Sequence, residues 1–263
     1  MPNQPIITLT TDFGPSSPYV AAMKGVILSI NPDVRLVDIT HAITPQQVQE
    51  GALILAETTP LFPTDAIHVA VVDPGVGTDR AIVYVEFAWG RYLCPDNGLL
   101  SRLAERAKPL MMVTVTRERF FREQVAPTFH GRDVMAPVAA HLSLGLDPAE
   151  LGPLHKTLKQ LDWRGADKVA NRISGEIVAV DSFGNLVTNI TRAMLADVPT
   201  DETVAIRCDD HETRNIFTTY AEQPPLTLVA VIGSNDQLEL AIVNDNAKIM
   251  LGVEVGTPVE VVW

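Results

Sequence analysis

The sequence has few cysteines, no long apolar run and no excess of basic residues. Its two cysteines, Cys94 and Cys208, lie far apart in a chain of 263 residues, and neither has a second cysteine at the spacing of a zinc knuckle or a redox pair. We therefore expect both thiols to be reduced and structural. No apolar stretch is long enough to cross a bilayer, and residues 1–5 lack the basic and apolar regions of a secretion signal. These absences predict a cytoplasmic protein with no membrane partner.

Basic charge is scarce as well. The formal net charge is -12, and nucleic-acid binding draws most of its affinity from clustered lysine and arginine. The charge balance therefore disfavours a nucleic-acid partner. At 46% apolar and 20% charged residues, the composition is typical of a soluble globular protein.

Several motifs of common enzyme classes are also missing. The chain has no P-loop, no G-x-S-x-G turn for a nucleophilic serine and no H-E-x-x-H zinc helix. Gly75-Val76-Gly77 runs into a predicted strand, so it lacks the helix dipole of a pyrophosphate site. Nucleoside triphosphates and dinucleotides are therefore disfavoured. The run Asp209-Asp210-His211-Glu212 contains metal-binding residue types, but it stands between predicted strands, where a solvated loop is the better interpretation.

The first half of the chain alternates short apolar strands with helical patterns. Ile6 to Thr11 predicts a strand and Tyr19 to Ile30 a helix, and the alternation continues to about residue 115. It predicts an N-terminal α/β domain, residues 1–155, with a mostly parallel sheet and helices on both faces. Ligands of such sheets bind beyond the carboxyl ends of the strands, where Asp12 and Asp73 stand.

The pattern changes near residue 155. Residues 156–172 are locally basic and predict a linker. Beyond them, short strands separated by turn signals predict a small C-terminal β-barrel domain, residues 173–263.

A buried strand ends at Asp73, and Arg80 follows before the next predicted strand. Further along, His130 stands just before an apolar helical pattern. Together these residues suggest a functional constellation of an acid, a guanidinium and an imidazole. The alternative is that Asp73 caps a turn and Arg80 pairs with a surface carboxylate, since structural ion pairs are common.

Ordered motifs along nearly the whole chain carry a resemblance. They are Thr10-Thr11-Asp12-Phe13-Gly14, Met23-Lys24-Gly25, Val72 through Gly77, Pro95-Asp96-Asn97-Gly98, Phe129 through Asp133, Asp181 through Asn189, and Ser234 through Ala241. In this order they resemble the S-adenosylmethionine (SAM) hydroxide adenosyltransferases, the water-using relatives of the fluorinating and chlorinating enzymes. The resemblance implies an α/β domain followed by a β-barrel, a homotrimer with sites between subunits, and conversion of SAM and water to adenosine and methionine.

The resemblance also implies roles for individual residues. Asp73, Arg80 and His130 would be the catalytic residues: Arg80 and His130 would hold the water and stabilise its hydroxide character, and Asp73 would accept a proton or orient the sugar. Asp12 would bind the ribose hydroxyls, and a simple turn cap is the alternative. The remaining positions that match substrate-binding residues are Ser17, Asp181, Phe183, Asn185, Tyr220, Ser234, Glu239 and Val243. No metal and no cofactor are implied, because SAM is the substrate.

Within the predicted barrel, each implied role has a structural alternative. Phe183 and Tyr220 would stack on adenine and Asn185 would read the edge of the base, whereas a core aromatic or a turn asparagine is the alternative. Three polar positions, Asp181, Ser234 and Glu239, would line the methionine or adenine ends of the substrate. A backbone contact is implied for Val243, for which ordinary packing is the alternative.

Departures from the family bear on the substrate. Family members commonly have an acid in place of Ser17 and a bulky aromatic in place of Gln46, so the methionine contacts and one wall of the sugar pocket differ here. Gly131 and Asp73 replace the hydroxyl side chain and the tyrosine of the halide-using relatives, and a carboxylate repels a halide. Water is therefore the predicted nucleophile. A halogenase and a non-catalytic binder of adenosine or SAM are the alternatives.

Overall fold

The computed structural model describes residues 4–263. The chain divides into two compact units, one ending at Asp162 and the other formed by Trp163–Trp263, so the division falls inside the predicted linker, residues 156–172. The expectation about a secretion signal concerns residues 1–5, of which 1–3 lie outside the described residues. Within residues 4–263, no helix combines the length and the apolar character needed to span a membrane.

The first unit, called the α/β unit below, alternates strands and helices as the sequence predicts. Its elements are β1 (Ile6–Thr11), α1 (Pro18–Ile30), β2 (Arg35–Thr40), α2 (Val48–Thr58), β3 (Ile67–Val71), β4 (Ile82–Phe87), β5 (Gly90–Pro95), α3 (Ser101–Arg106), β6 (Met111–Thr114) and α4 (Ala136–Ser143). A π-helical turn, Gly131–Met135, leads directly into α4.

The sheet of the α/β unit has the strand order β2-β1-β3-β5-β4-β6. Strand β1 is parallel to β2 and β3, and β3 is parallel to β5. Strand β4 is antiparallel to β5 and β6, because the two residues between β4 and β5 allow only a hairpin. The α/β prediction is thus confirmed, with antiparallel strands at one edge.

Helices cover both faces of this sheet. Strand β3 is buried on both sides: Val69 and Val71 face a core with α1 and α4, whereas Ala70 and Val72 face a core with α2 and α3. Alternate residues of a strand point to opposite faces, so an uninterrupted apolar strand is what a doubly covered sheet requires.

The second unit, called the barrel unit below, is almost entirely β-structure. Its elements are β7 (Asp167–Val169), β8 (Arg172–Val180), β9 (Leu186–Thr191), β10 (Ala205–Cys208), β11 (His211–Arg214), β12 (Ile216–Phe217), β13 (Leu228–Ile232), β14 (Gln237–Ile242), α5 (Ala247–Leu251) and β15 (Pro258–Val262). The strand order is β11-β10-β15-β8-β9-β14-β13-β12, with β7 paired to β8. The Thr213 hydroxyl of β11 donates to Leu228 O of β13 at 2.7 Å, so the sheet curls into the predicted barrel.

The acidic run after β10 is only partly a turn. Asp209 has a positive φ of 52°, but His211 and Glu212 belong to β11, where Glu212 pairs with Arg207 and Arg214. These ion pairs account for Glu212 without a metal, and across residues 4–263 no cluster of three His, Cys, Asp or Glu side chains could hold one. Both cysteines are free and buried, and burial raises the pKa of Cys208 to about 11.

Candidate active site

Two acidic residues lie just beyond the carboxyl ends of neighbouring strands in the sheet of the α/β unit. Asp12 follows β1 directly and Asp73 follows β3 after Val72. Strands β1 and β3 are neighbours and parallel, with Thr11 paired to Val71 at their carboxyl ends. Both side chains line one cavity of about 300 Å³, which lies where parallel sheets bind ligands.

Asp73 and Arg80 form a bidentate ion pair across a tight turn. Arg80 Nε donates to Asp73 Oδ2 at 2.8 Å and to Oδ1 at 3.1 Å, and Arg80 Nη2 donates to Oδ2 at 2.5 Å. The Asp73 side chain is only 4% exposed and the Arg80 side chain 6%. The turn requires Gly77, which has a positive φ of 80° and whose Cβ would lie 2.8 Å from Pro127 O. Burying such a pair is costly unless its hydrogen bonds are satisfied, as they are here.

His130 extends this pair into a network. Arg80 Nη2 donates to His130 Nδ1 at 2.9 Å. Because a guanidinium only donates hydrogen bonds, Nδ1 accepts, and the neutral ring carries its proton on Nε2. Burial, and then the charge of Arg80, lower the pKa of His130, so the imidazole is neutral near pH 7. The structure therefore brings the predicted Asp73, Arg80 and His130 together.

The helix that follows His130 is fixed by a second ionic cluster. Asp133 is fully buried and accepts hydrogen bonds from Arg122, Arg132 and the backbone N–H of Ala126. Burial alone would raise the pKa of Asp133, but these donors outweigh it and lower the value to about 2. The ionised Asp133 carboxylate and its hydrogen bonds therefore fix the π-helical turn next to the His130 imidazole.

The cavity is lined by two acidic residues and two aromatic rings. Asp12 Oδ2 accepts a hydrogen bond from the backbone N–H of Gln46 at 2.8 Å. Phe13 and Phe129 contact each other edge to face, with ring centroids 5.8 Å apart. Both rings line the cavity, and neither was singled out from the sequence, although each belongs to one of the ordered motifs.

Ser17 has a structural role in the described geometry. Its side chain caps α1 by accepting a hydrogen bond from the backbone N–H of Tyr19 at 3.3 Å. It is not among the residues that line the cavity, so its contact with methionine stays a prediction.

His130 also borders a second, more open cleft. This cleft measures about 850 Å³ and includes Arg80, Thr116, Phe121 and Val125 in its lining. Asp73 faces the smaller cavity, Arg80 faces the cleft, and His130 lines both. The network therefore forms part of the wall between the two spaces.

Within the barrel unit, Asp181 organises the turn between β8 and β9. Asp181 Oδ1 accepts the backbone N–H groups of Phe183 and Asn185, and Asp181 Oδ2 accepts Asn185 Nδ2 at 2.9 Å. Asn185 is buried, whereas the Phe183 ring is 76% exposed at the tip of the turn. Gly184 makes the turn possible because its Cβ would lie 2.2 Å from the Asn246 side chain.

Tyr220 and Glu239 lie close to this turn. Tyr220 OH donates to Glu239 Oε2 at 2.9 Å. Burial raises the pKa of Glu239, and the negative charge of Asp181 raises it further. The hydrogen bond from Tyr220 lowers this pKa but does not cancel the increase. Burial, and then Glu239, raise the pKa of Tyr220 to about 12. Asp181, Tyr220 and Glu239 are therefore electrostatic neighbours, as expected if they serve one site.

The two remaining predicted residues of the barrel unit have different surroundings. Ser234 is exposed in the turn between β13 and β14. Val243 is buried in a small apolar cluster with Val229, Val231 and Ala241, so its side chain packs in the interior.

Comparison with known proteins gives the same family over both units. The family models for the SAM hydroxide adenosyltransferase N-terminal and C-terminal domains match residues 7–152 and 175–260. A protein of Salinispora arenicola named (R)-S-adenosyl-L-methionine hydrolase is 36% identical and covers 99% of both chains. One of the same name from Thermus thermophilus is 37% identical over 95% of this chain and 96% of its own. A fluorinase of Nocardia brasiliensis is 29% identical over 73% of each chain.

Solved structures agree with the sequence matches. A conserved protein of Thermotoga maritima superposes with a TM-score of 0.92 at 31% identity, covering 98% of this chain and all of that one. A conserved protein of Thermus thermophilus has a TM-score of 0.78 at 33% identity and covers 99% of this chain and 100% of its own. Since both domain models and full-length relatives match, this chain belongs to the SAM hydroxide adenosyltransferase family.

Proposed function

We propose that this protein hydrolyses SAM to adenosine and L-methionine. The observation that carries the proposal is the bonded Asp73–Arg80–His130 network on the wall of the cavity that also contains Asp12. Relatives of matching length are named for the hydrolysis of (R)-SAM, and we assign the same sulfonium configuration to the substrate here.

The reaction is a nucleophilic substitution at the ribose C5′. The water oxygen forms a bond to C5′ while the C5′–S bond breaks. The electron pair of the C5′–S bond stays on sulfur, which becomes the neutral thioether of methionine. The proton lost by water passes to the protein and then to solvent. Because a sulfonium is already a good leaving group, the reaction needs no metal and no acid on the leaving side. The difficulty lies in holding a desolvated water in line with the C–S bond.

The network supplies what that water needs. The Asp73 carboxylate accepts a hydrogen bond from the water and increases its nucleophilic character. Arg80 fixes the carboxylate through three hydrogen bonds that engage both of its oxygens, a geometry that limits rotation. His130, with Nδ1 engaged by Arg80, donates a hydrogen bond from Nε2 to the water oxygen, which holds the water in place and stabilises its hydroxide character as Asp73 withdraws its proton.

Substrate recognition divides between the two kinds of unit. Asp12 binds the ribose hydroxyls at the edge of the sheet, while Phe183 and Tyr220 stack on adenine and Asn185 reads the edge of the base. The methionine end lies near Asp181, Ser234 and Glu239. We propose a homotrimer in which the barrel residues of one subunit complete the cavity of the next, acting in the cytoplasm without nucleic-acid or membrane partners.

Water fits this cavity better than a halide does. A Cβ on Gly131 would lie 3.3 Å from Met23 Sδ, which is tighter than most contacts, and 3.4 Å from Val71 Cγ1, so the cavity could admit a hydroxyl side chain at this position only if Met23 shifted by a few tenths of an ångström. Asp73 adds a negative charge that repels an anion.

Turnover of SAM in ¹⁸O-labelled water tests the proposal. We expect adenosine carrying ¹⁸O at the 5′ position, equimolar methionine, consumption of the (R) sulfonium only, and no effect of a chelator. Adenosine without the label, or activity that a chelator abolishes and a divalent ion restores, would contradict the mechanism. Tight binding of SAM without turnover would identify a non-catalytic binder, and 5′-chloro-5′-deoxyadenosine in saturating chloride would identify a halogenase.

Mixed oligomers test the shared site. Asp12→Ala and Asn185→Ala each remove one half of the proposed site, so co-assembled subunits should regain activity that neither variant has alone. Oligomers that form and stay inactive would contradict a site shared between subunits.

A further inference from the structure

The residues directly after β5 lie between the two chain segments that carry the ion pair. In the sheet, β5 has β3 on one side and β4 on the other. Asp73 follows the end of β3, and Arg80 precedes β4. Because β5 runs parallel to β3 and antiparallel to β4, its carboxyl end, followed by Asp96 and Asn97, points to the same edge of the sheet.

Asp96 and Asn97 each bond to a neighbour of one ion-pair partner. Asn97 Nδ2 donates to Val72 O at 2.8 Å, and Val72 immediately precedes Asp73. The Asp96 backbone N–H donates to Ala81 O at 2.9 Å, and Ala81 immediately follows Arg80. Two consecutive residues therefore hold both segments.

The Asn97 side chain replaces a missing backbone donor. The last residue pair between β3 and β5 is Val69 with Leu93, so the Val72 carbonyl lies beyond the end of the ladder. Val72 is fully buried, and a buried carbonyl requires a donor. The amide orientation is fixed, since Asn97 Oδ1 accepts the backbone N–H of Leu99 at 3.4 Å and leaves Nδ2 to donate to Val72.

The turn itself is anchored on its other side. The buried Asp96 carboxylate accepts the backbone N–H of Lys159 at 2.8 Å through Oδ1, and its Oδ2 lies 3.2 Å from His155 Nε2. Gly98 is packed tightly, because its Cβ would lie 2.5 Å from Leu161 Cγ. A turn fixed in this way can transmit its position to the segments bonded to it.

We propose that Asn97 is a positioning residue for the Asp73–Arg80 ion pair, and that the Asp96–Asn97 turn sets the separation of the carboxylate and the guanidinium. Neither residue lines the substrate cavity. The structural part of this inference stands on the contacts alone, whereas its kinetic consequences rest on the proposed function.

Two Asn97 variants test the proposal. Asn97→Asp keeps the shape but places a carboxylate oxygen against Val72 O, and Asn97→Ala removes the donor without adding charge. We expect kcat to fall by about 10²-fold in Asn97→Asp, as for other small displacements of reacting groups, and less in Asn97→Ala. KM for SAM and the Kd for adenosine should stay unchanged, because Asp12 follows a different strand from this turn and bonds to the backbone of Gln46.

The pH profile separates positioning from general destabilisation. Because Arg80 contributes to the lowered pKa of His130, an arginine displaced from the imidazole should move the acidic limb of the kcat profile to higher pH. Thr59→Val is the control. It removes the buried 2.6 Å hydrogen bond between Thr59 and Tyr92 in the same unit, so it should lower Tm and leave both kcat and the pH profile unchanged.

Crystal structures of the Asn97 variants provide a readout that does not depend on activity. We expect a longer distance between Asp73 Oδ2 and Arg80 Nη2 in either variant that folds. Folded variants with parental kcat, or with an unchanged ion pair, would overturn the proposal, as would a loss of kcat that matches the control at equal loss of Tm. If the parent protein releases no adenosine, the proposed function fails, while the ion-pair distance still decides the role of Asn97.

Discussion

The two units hold their predicted site residues in different ways. In the α/β unit, the side chains of Asp73 and Arg80 are almost fully buried and already bonded to each other. In the barrel unit, the Phe183 ring is largely exposed at the tip of a turn. Groups that stabilise a transition state act best when they are fixed in advance, whereas an exposed aromatic ring offers surface that a ligand can cover. The difference supports the proposal that the α/β unit carries the chemistry and that the barrel unit recognises adenine.

Buried acids show the same contrast. Asp133 of the α/β unit is surrounded by arginines and a backbone donor, and its pKa falls to about 2 despite burial. Glu239 of the barrel unit has one phenolic donor and an acidic neighbour, and burial raises its pKa. A buried carboxylate whose hydrogen bonds are all made within the protein, such as Asp133, stabilises the surrounding structure. A carboxylate with few donors, such as Glu239, retains the capacity to bond to a ligand.

Loss of the His130 imidazole should give the largest effect. His130→Ala removes a donor that the mechanism needs mainly in the transition state, so kcat should fall by about 10²- to 10⁴-fold. Adenosine binding should change little, because Asp12 and the barrel residues remain. Steady-state kinetics and calorimetry with adenosine measure the two quantities.

His141→Ala is the matched control for that experiment. His141 lies on α4 beside Phe120 and lines neither cavity, so its loss should leave kcat unchanged. Parental turnover in His130→Ala would mean that the Asp73–Arg80–His130 network is structural and that the contrast between the units is wrong.

Acid should destabilise the α/β unit more than the barrel unit. Burial, and then Arg91, lower the pKa of His68 to about 4, and the pKa values of His130 and His141 are lowered as well. All three belong to the α/β unit. The unfolded chain then binds the His68 proton more readily than the folded chain does. The contribution of neutral His68 to the free energy of unfolding is therefore fully present above about pH 6.5, and it decreases by about 3 kcal/mol as the pH falls to about 4.

Hydrogen exchange at several pH values measures this effect separately in each unit. Peptides from β3 should lose protection between pH 6.5 and 4 before peptides from β8 and β9. His68→Gln keeps a polar partner for Thr8, whose Oγ1 lies 2.9 Å from His68 Nδ1. In this variant the protection of β3 peptides should decrease less as the pH falls. An identical pH dependence in this variant would exclude His68 as the cause.

Much of the architecture could be predicted from the sequence because it depends on local periodicity. The strand–helix alternation and the strand-end positions of Asp12 and Asp73 follow from apolar spacing. The short strands β11 and β12 and the helix α5 escaped prediction, since segments of two to five residues carry too little periodic signal. The contact of Arg80 with His130 depends on how β4 and the π-helical turn are placed in three dimensions, and no local pattern encodes that.

Truncation of Phe183 should affect binding more than turnover. Stacking of a base on an aromatic ring contributes about 1–3 kcal/mol, so Phe183→Ala should raise KM for SAM by about 5- to 150-fold with a smaller change in kcat. Leu226→Ala is the control, because Leu226 is also an exposed apolar residue of the barrel unit without a predicted role. A fall in kcat at unchanged KM would reverse the assignment of recognition to the barrel unit.

The smallest effect is expected at Ser17, which belongs to the α/β unit but does not line its cavity. Its side chain caps α1, and loss of a serine cap costs about 0.5–2 kcal/mol. Ser17→Ala should therefore lower Tm and leave KM for SAM unchanged, whereas Ser17→Asp, which also caps a helix and favours the positive end of its dipole, should retain the parental Tm. A KM that rises in Ser17→Ala and falls in Ser17→Asp would show instead that this position contacts the cationic end of the substrate, and would add a methionine contact to the ribose contact proposed for Asp12 in the α/β unit.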